Sequence, residues 1–185
     1  MVMWYMNIRK LSNNFTGGVV SEKFHNYKII IKEKTSVDLL DEYLKIKVWS
    51  KNSDGEVYLY SVNGGGNYSL YLEDRFFNFN IDNETKNISA FEGDLDLKSL
   101  KIVKLQLPKH IVNAILSLDT NDELIQGSGG YIHFNTSEIY YDKDKKILQI
   151  GKIVPNEIIY RIFDNGFAQI KKEHLSGLMF TDMEF

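Results

Sequence analysis

The side chains suited to acid–base work or to metal binding are four histidines and 25 carboxylates. Their spacing limits what they can do. His25, His110, His133 and His174 contain no pair at i, i+2 or i, i+4 and no HExxH, so a histidine metal site would have to be assembled entirely by the fold. His133 lies in Tyr131-Ile132-His133-Phe134, a strand-like run, and reads as a half-exposed strand histidine before it reads as a general base. There is no cysteine, which removes disulfides, thiolate metal sites and cysteine nucleophiles together. Asn63-Gly64-Gly65-Gly66-Asn67 and Gln126-Gly127-Ser128-Gly129-Gly130 lack GxxxxGK[ST] and GxGxxG and open no expected helix, so both read as turns and not as phosphate cradles. Asp142-Lys143-Asp144-Lys145-Lys146 lacks the glycine and terminal glutamate of a calcium loop, and no GxSxG occurs.

Charge is the sharper signal. The chain carries 22 Lys+Arg against 25 Asp+Glu, a formal net charge of -3. Seven of those acids fall between Glu73 and Leu97, opposed there only by Arg75 and Lys86, which leaves the remainder slightly basic. Glu92, Asp94 and Asp96 stand at every second position, so an extended backbone puts all three carboxylates on one face. A solvated acidic edge, a contact surface for a cationic partner and, with no supporting motif, metal ligation are the three readings of that trio. No block of Lys and Arg offers the clustered cations that nucleic-acid backbones require.

The elements that must position these groups are short and alternating. Tyr27–Lys32, Leu44–Trp49, Glu56–Val62, Tyr68–Leu72 and Arg75–Ile81 are rich in β-branched and aromatic residues with a period near two, and read as strands. Asn52-Ser53-Asp54-Gly55 is a hairpin turn between two of them. Lys101–Leu107, Tyr131–Phe134, Glu138–Asp142 and Ile147–Ile150 continue the pattern, and the short connectors among the last three predict an antiparallel meander. Phe167–Lys171 and Leu175–Phe180 form a last hairpin. Pro108 followed by Ile111, Val112, Ile115, Leu116 and Leu118 predicts a helix, and Ser36 to Tyr43 a shorter one. Asn156–Phe163 fits either a helix, by the spacing of Ile158, Ile159, Ile162 and Phe163, or a hairpin strand, by its composition and the Asp164-Asn165-Gly166 turn that follows.

With 185 residues, 43% of them hydrophobic, and no Pro/Ser/Gly-rich linker, the expectation is one α+β domain. A predominantly antiparallel β-sheet should carry one or two packed helices. No uncharged apolar run is long enough to span a membrane, and Met1–Lys10 lacks the layout of a signal peptide, so the expected compartment is the cytoplasm. No cofactor or metal is expected, and the oligomeric state is not readable.

Asp82-Asn83-Glu84-Thr85-Lys86-Asn87-Ile88 running into Phe91-Glu92-Gly93 resembles a pattern in small bacterial immunity proteins of polymorphic and contact-dependent toxin systems. Tyr141-Asp142, Ile147 and Ile150-Gly151, then Ala168, Ile170, Leu175 and Leu178, are similar to the C-terminal strands of the same family. Met1 to Leu72 carry no such likeness. The matching residues are structural, so the resemblance transfers no functional residue. It implies a protein that binds and neutralises a toxin domain without catalysis of its own. Joined to the charge pattern, it makes Asp82, Glu84, Glu92, Asp94 and Asp96 the expected contacts for a cationic partner. The competing classes are an enzyme or small-ligand binder that gathers His133, Tyr140, Asp142 and Glu92, and a structural or oligomeric module.

Overall fold

A computed structural model describes residues 27–33, 45–61, 66–72, 77–134 and 137–185. The described chain forms β1 (Lys28–Glu33), β2 (Ile46–Lys51), β3 (Glu56–Ser61), β4 (Tyr68–Leu72), β5 (Phe77–Ile81), β6 (Ile88–Asp96) and β7 (Lys101–Ile102). It continues with β8 (His110–Asp119), β9 (Gly129–Ile132), β10 (Ile139–Asp142), β11 (Ile147–Gly151), β12 (Ile158–Arg161), β13 (Gly166–Lys171) and β14 (His174–Phe180). One 3-10 turn, Leu97–Ser99, is the only helical element among the described residues. The strands make two mixed sheets, ordered β1-β8-β12-β13-β14-β11-β10-β7 and β2-β3-β6-β5-β4-β9.

This architecture overturns the α+β expectation. The chain from Pro108 onward is strand β8, not a helix. Its apolar residues satisfy two periods at once, and the period of two decides: Ala114, Leu116 and Leu118 are buried, whereas Ile111 is 48% exposed. The β-branched Ile111, Val112 and Ile115 favour the extended state as well. The shorter helix from Ser36 to Tyr43 lies outside the described residues. Ile158–Arg161 is a strand, closed by the Asp164-Asn165-Gly166 turn. The expected meander is corrected too: β10 and β11 pair antiparallel, but β9 leaves for the other sheet and lies parallel to β4. Connector length excluded a parallel crossover between β9 and β10 without requiring that they pair at all. Of the expected strand Lys101–Leu107, only the first two residues are paired as strand.

The sheets face each other across one apolar core. Leu59, Leu70, Phe79, Phe91 and Leu95 from the six-stranded sheet meet Leu116, Leu148, Ile150, Leu178 and Phe180 from the eight-stranded one. Phe91 and Phe180 touch across the middle, ring centroids 4.9 Å apart. The outer face of the eight-stranded sheet is also buried at its centre, where Leu105 and Ile153 cover Ile147, Ile159, Phe167 and Met179. That close cover needs glycine at position 177, because a Cβ there would sit 2.5 Å from Ile153 Cγ1 and 2.6 Å from the Lys152 carbonyl oxygen.

Polar joints hold the two sheets in place. Asn165, 2% exposed, accepts from Ile46 N–H at 2.8 Å and donates to the carbonyls of Ile46 at 3.0 Å and Thr181 at 2.8 Å. Its side-chain amide thereby takes the place of a paired backbone residue at the start of β2. Asn87 bridges to Ser117, tying the entry to β6 against the second half of β8. The two-residue turn of the β13–β14 hairpin places Lys172 and Glu173 at positive φ, 49° and 66°. Non-glycine residues resist that conformation. Glu173 is secured by its carbonyl, which accepts from Ile29 N–H at 2.9 Å, and by its carboxylate, 2.6 Å from Lys28 Nζ.

Candidate functional site

Alternation along the six-stranded sheet sends Val57, Leu59, Phe77, Phe79, Phe91 and Leu95 inward. It must therefore send Glu56, Tyr58, Tyr60, Asn78, Asn80, Glu92, Asp94 and Asp96 to the outer face. Register sets these side by side: Glu56 opposite Asp96, Tyr58 opposite Asp94, and Glu92 between Tyr60 and Asn78. Tyr71 and Tyr131 extend the face toward its β9 edge, with ring centroids 5.3 Å apart.

Glu92 anchors the centre. Its Oε2 accepts from the Tyr58 hydroxyl at 2.5 Å, and its Oε1 from the amides of Asn78 at 3.1 Å and Asn80 at 3.2 Å. Desolvation is the largest single influence and favours the neutral acid, but these three donors together outweigh it and hold the carboxyl below its ordinary range. Asp94, one pleat along, has no such donors. Partial desolvation, then the charges of Glu56 and Glu92, push its pKa up. Glu56 accepts from Asn52 Nδ2 at 2.7 Å, and Asp96 caps the 3-10 turn by accepting from Lys98 N–H at 2.9 Å. Among the described residues none of these four carboxylates is in an ion pair.

The remaining expected contacts lie elsewhere. Asp82 is committed to the β5–β6 turn, where its Oδ1 accepts from Thr85 N–H at 2.7 Å, Thr85 Oγ1 at 2.8 Å and Glu84 N–H at 3.1 Å. The backbone bond from Thr85 is the main reason its pKa is lowered. Glu84 is exposed on that turn, roughly 25 Å along β6 from Asp96 at strand rise. The five acids therefore divide, with only Glu92, Asp94 and Asp96 sharing a face. Glu56, Tyr58, Asn78 and Asn80 join them from neighbouring strands, and strand register is the signal that would have found them.

His133, Tyr140, Asp142 and Glu92 do not converge. Glu92 is on the outer face of one sheet, while Tyr140 packs on the outer face of the other. Asp142, 2% exposed, is structural: Oδ2 accepts from Leu105 N–H at 2.8 Å, and Oδ1 from Asp144 and Lys145 N–H, each at 3.1 Å. The Leu105 bond is the first cause of its lowered pKa. A carboxyl lowered on folding contributes stability above its unfolded pKa, about 3.9, and loses it as pH falls through the folded value. Asp142→Ala is thus expected to lower Tm at pH 7 by on the order of 5 °C, with the gap to wild type narrowing below about pH 4. A gap that stays constant from pH 7 to pH 2.5 would contradict the assignment.

Among the described residues no three His, Asp or Glu side chains are grouped to hold a metal, and no helix is long and apolar enough to cross a membrane. Gly127 N–H donates to the Asn67 carbonyl at 2.7 Å and Ser128 N–H to the Ile125 carbonyl at 3.1 Å, so the amides of that loop close a turn. No protein-family model and no curated protein matches the chain.

Proposed function

We propose that this protein is a toxin-neutralising binding protein that docks a cationic protein domain on the outer face of its six-stranded sheet. The observation that carries the reading is the row Glu56, Glu92, Asp94 and Asp96, in no ion pair among the described residues and set among tyrosines and asparagines. A sheet face of this composition suits protein recognition, since tyrosine supplies contact area at low entropic cost. Glu92 adds a carboxylate already oriented and held ionised, so a partner arginine or lysine meets an anion that needs no rearrangement. The likeness of Asp82–Ile88 and Phe91-Glu92-Gly93 to immunity proteins supplies the class of partner, a toxin with a basic active or nucleic-acid-binding surface. An immunity protein works where its toxin arrives, so this reading makes the chain cytoplasmic and leaves it no catalytic turnover of its own.

Co-expression with the product of the adjacent gene tests the reading. A tagged chain is expected to retain that product through affinity and size-exclusion steps and to relieve its toxicity in the host cell. A soluble neighbour that neither co-elutes nor is neutralised would overturn it.

A further inference from the structure

We propose that the outer edge of β7 is a second docking site, which takes an extended acidic peptide as an added strand. β7 ends the eight-stranded sheet and runs parallel to β10, with Ile102 opposite Tyr141. Val103 N–H donates to the Tyr141 carbonyl at 3.1 Å, so the parallel pattern turns the N–H and C=O of Ile102 away from β10. The Ile102 side chain is 54% exposed.

A cavity of about 500 Å³, lined by Leu100, Ile102, Tyr141 and Phe185 with Lys143 among them, opens on one side of the strand. A second of about 310 Å³, lined by Val103, Tyr140 and Lys152 with Glu138, opens beside Val103 on the other. An added strand sends alternate side chains to opposite faces, so successive residues of the peptide would enter the two cavities in turn.

Charge selects the occupant. Lys98, Lys101, Lys104 and Lys143 are exposed around the edge. Of these four, only Lys101 has an acidic partner among the described residues, Glu138, at a long 3.9 Å. Edge lysines discourage pairing between copies of one chain. The same repulsion favours an acidic strand over a second β7. This site lies at the edge of the sheet opposite the acidic face and takes a partner of opposite sign.

Fluorescence anisotropy with labelled Glu-Val-Glu-Leu-Glu-Val-Glu-Leu-Glu tests the proposal. Wild-type protein is expected to bind this peptide at least about tenfold more tightly than the same sequence with lysine in place of glutamate. N-methylation of one alternate set of peptide amides should cost about tenfold and of the other set little, because only the amides that face β7 make ladder hydrogen bonds while charge and side chains stay in place. The Lys101→Glu/Lys104→Glu variant should lose a similar factor with its Tm unchanged. Equal binding of the lysine peptide, indifference to N-methylation, or a wild-type dimer that Ile102→Pro dissociates would each overturn it.

Discussion

Asn165→Ala is expected to destabilise the protein by about 4 kcal/mol, measured by urea unfolding at pH 7. The buried amide serves the N–H and C=O of Ile46 and the carbonyl of Thr181, three groups that alanine leaves without a partner. Each unsatisfied buried backbone group costs about 1–3 kcal/mol, and that sum exceeds any gain from removing the polar side chain. Because β2 belongs to one sheet and the Asn165 turn to the other, the loss should loosen the junction between sheets and not a single hairpin. Asn165→Asp should be as harmful, since a carboxylate cannot donate to the two carbonyls. A loss under about 1 kcal/mol would show that water or backbone movement replaces the amide.

Local turn chemistry was legible in the chain. Asn52-Ser53-Asp54-Gly55 does form a hairpin turn, with Asn52 Oδ1 accepting from Asp54 and Glu56 N–H, both at 2.9 Å, and Gly55 at φ 88°. The β13–β14 hairpin stands as expected around residues 172–173. The alternation of Glu92, Asp94 and Asp96 does put them on one face, since all three lie on β6 with Gly93 and Leu95 buried between them. What failed was long-range. Nothing local states that β9 pairs with β4 instead of β10, or that β8 shares its edge between β12 and Asn87. The misread helix at Pro108 has the same origin, because an apolar run that suits two periods is settled by the sheet that receives it. Asn165 read as a turn residue and Asp142 as a candidate for chemistry. Both are anchors for backbone that is distant in sequence, a role that no spacing rule exposes.

Burial also changes which residues can probe the acidic face. Replacing Glu92 by lysine would set a cation against the donors of Tyr58, Asn78 and Asn80, so its effect on binding would be mixed with a folding defect. Asp96 is tied to the 3-10 turn. Glu56 and Asp94 are exposed, and reversing them leaves those hydrogen bonds intact and removes only the exposed one from Asn52 Nδ2 to Glu56.

The most direct test of the acidic face is therefore the association rate of wild type and Glu56→Lys/Asp94→Lys with the partner that co-expression retains, measured by stopped flow across ionic strength. Complementary charge acts chiefly on the rate of encounter, and its reach shrinks to about 8 Å at physiological salt. Wild-type association is expected to slow steeply as salt rises. The double reversal should associate at least about tenfold more slowly at low salt, with a flatter salt dependence and an unchanged Tm, since exposed charges contribute little to stability. Equal rates and equal salt slopes for the two proteins would place the partner's contact somewhere other than the outer face of the six-stranded sheet.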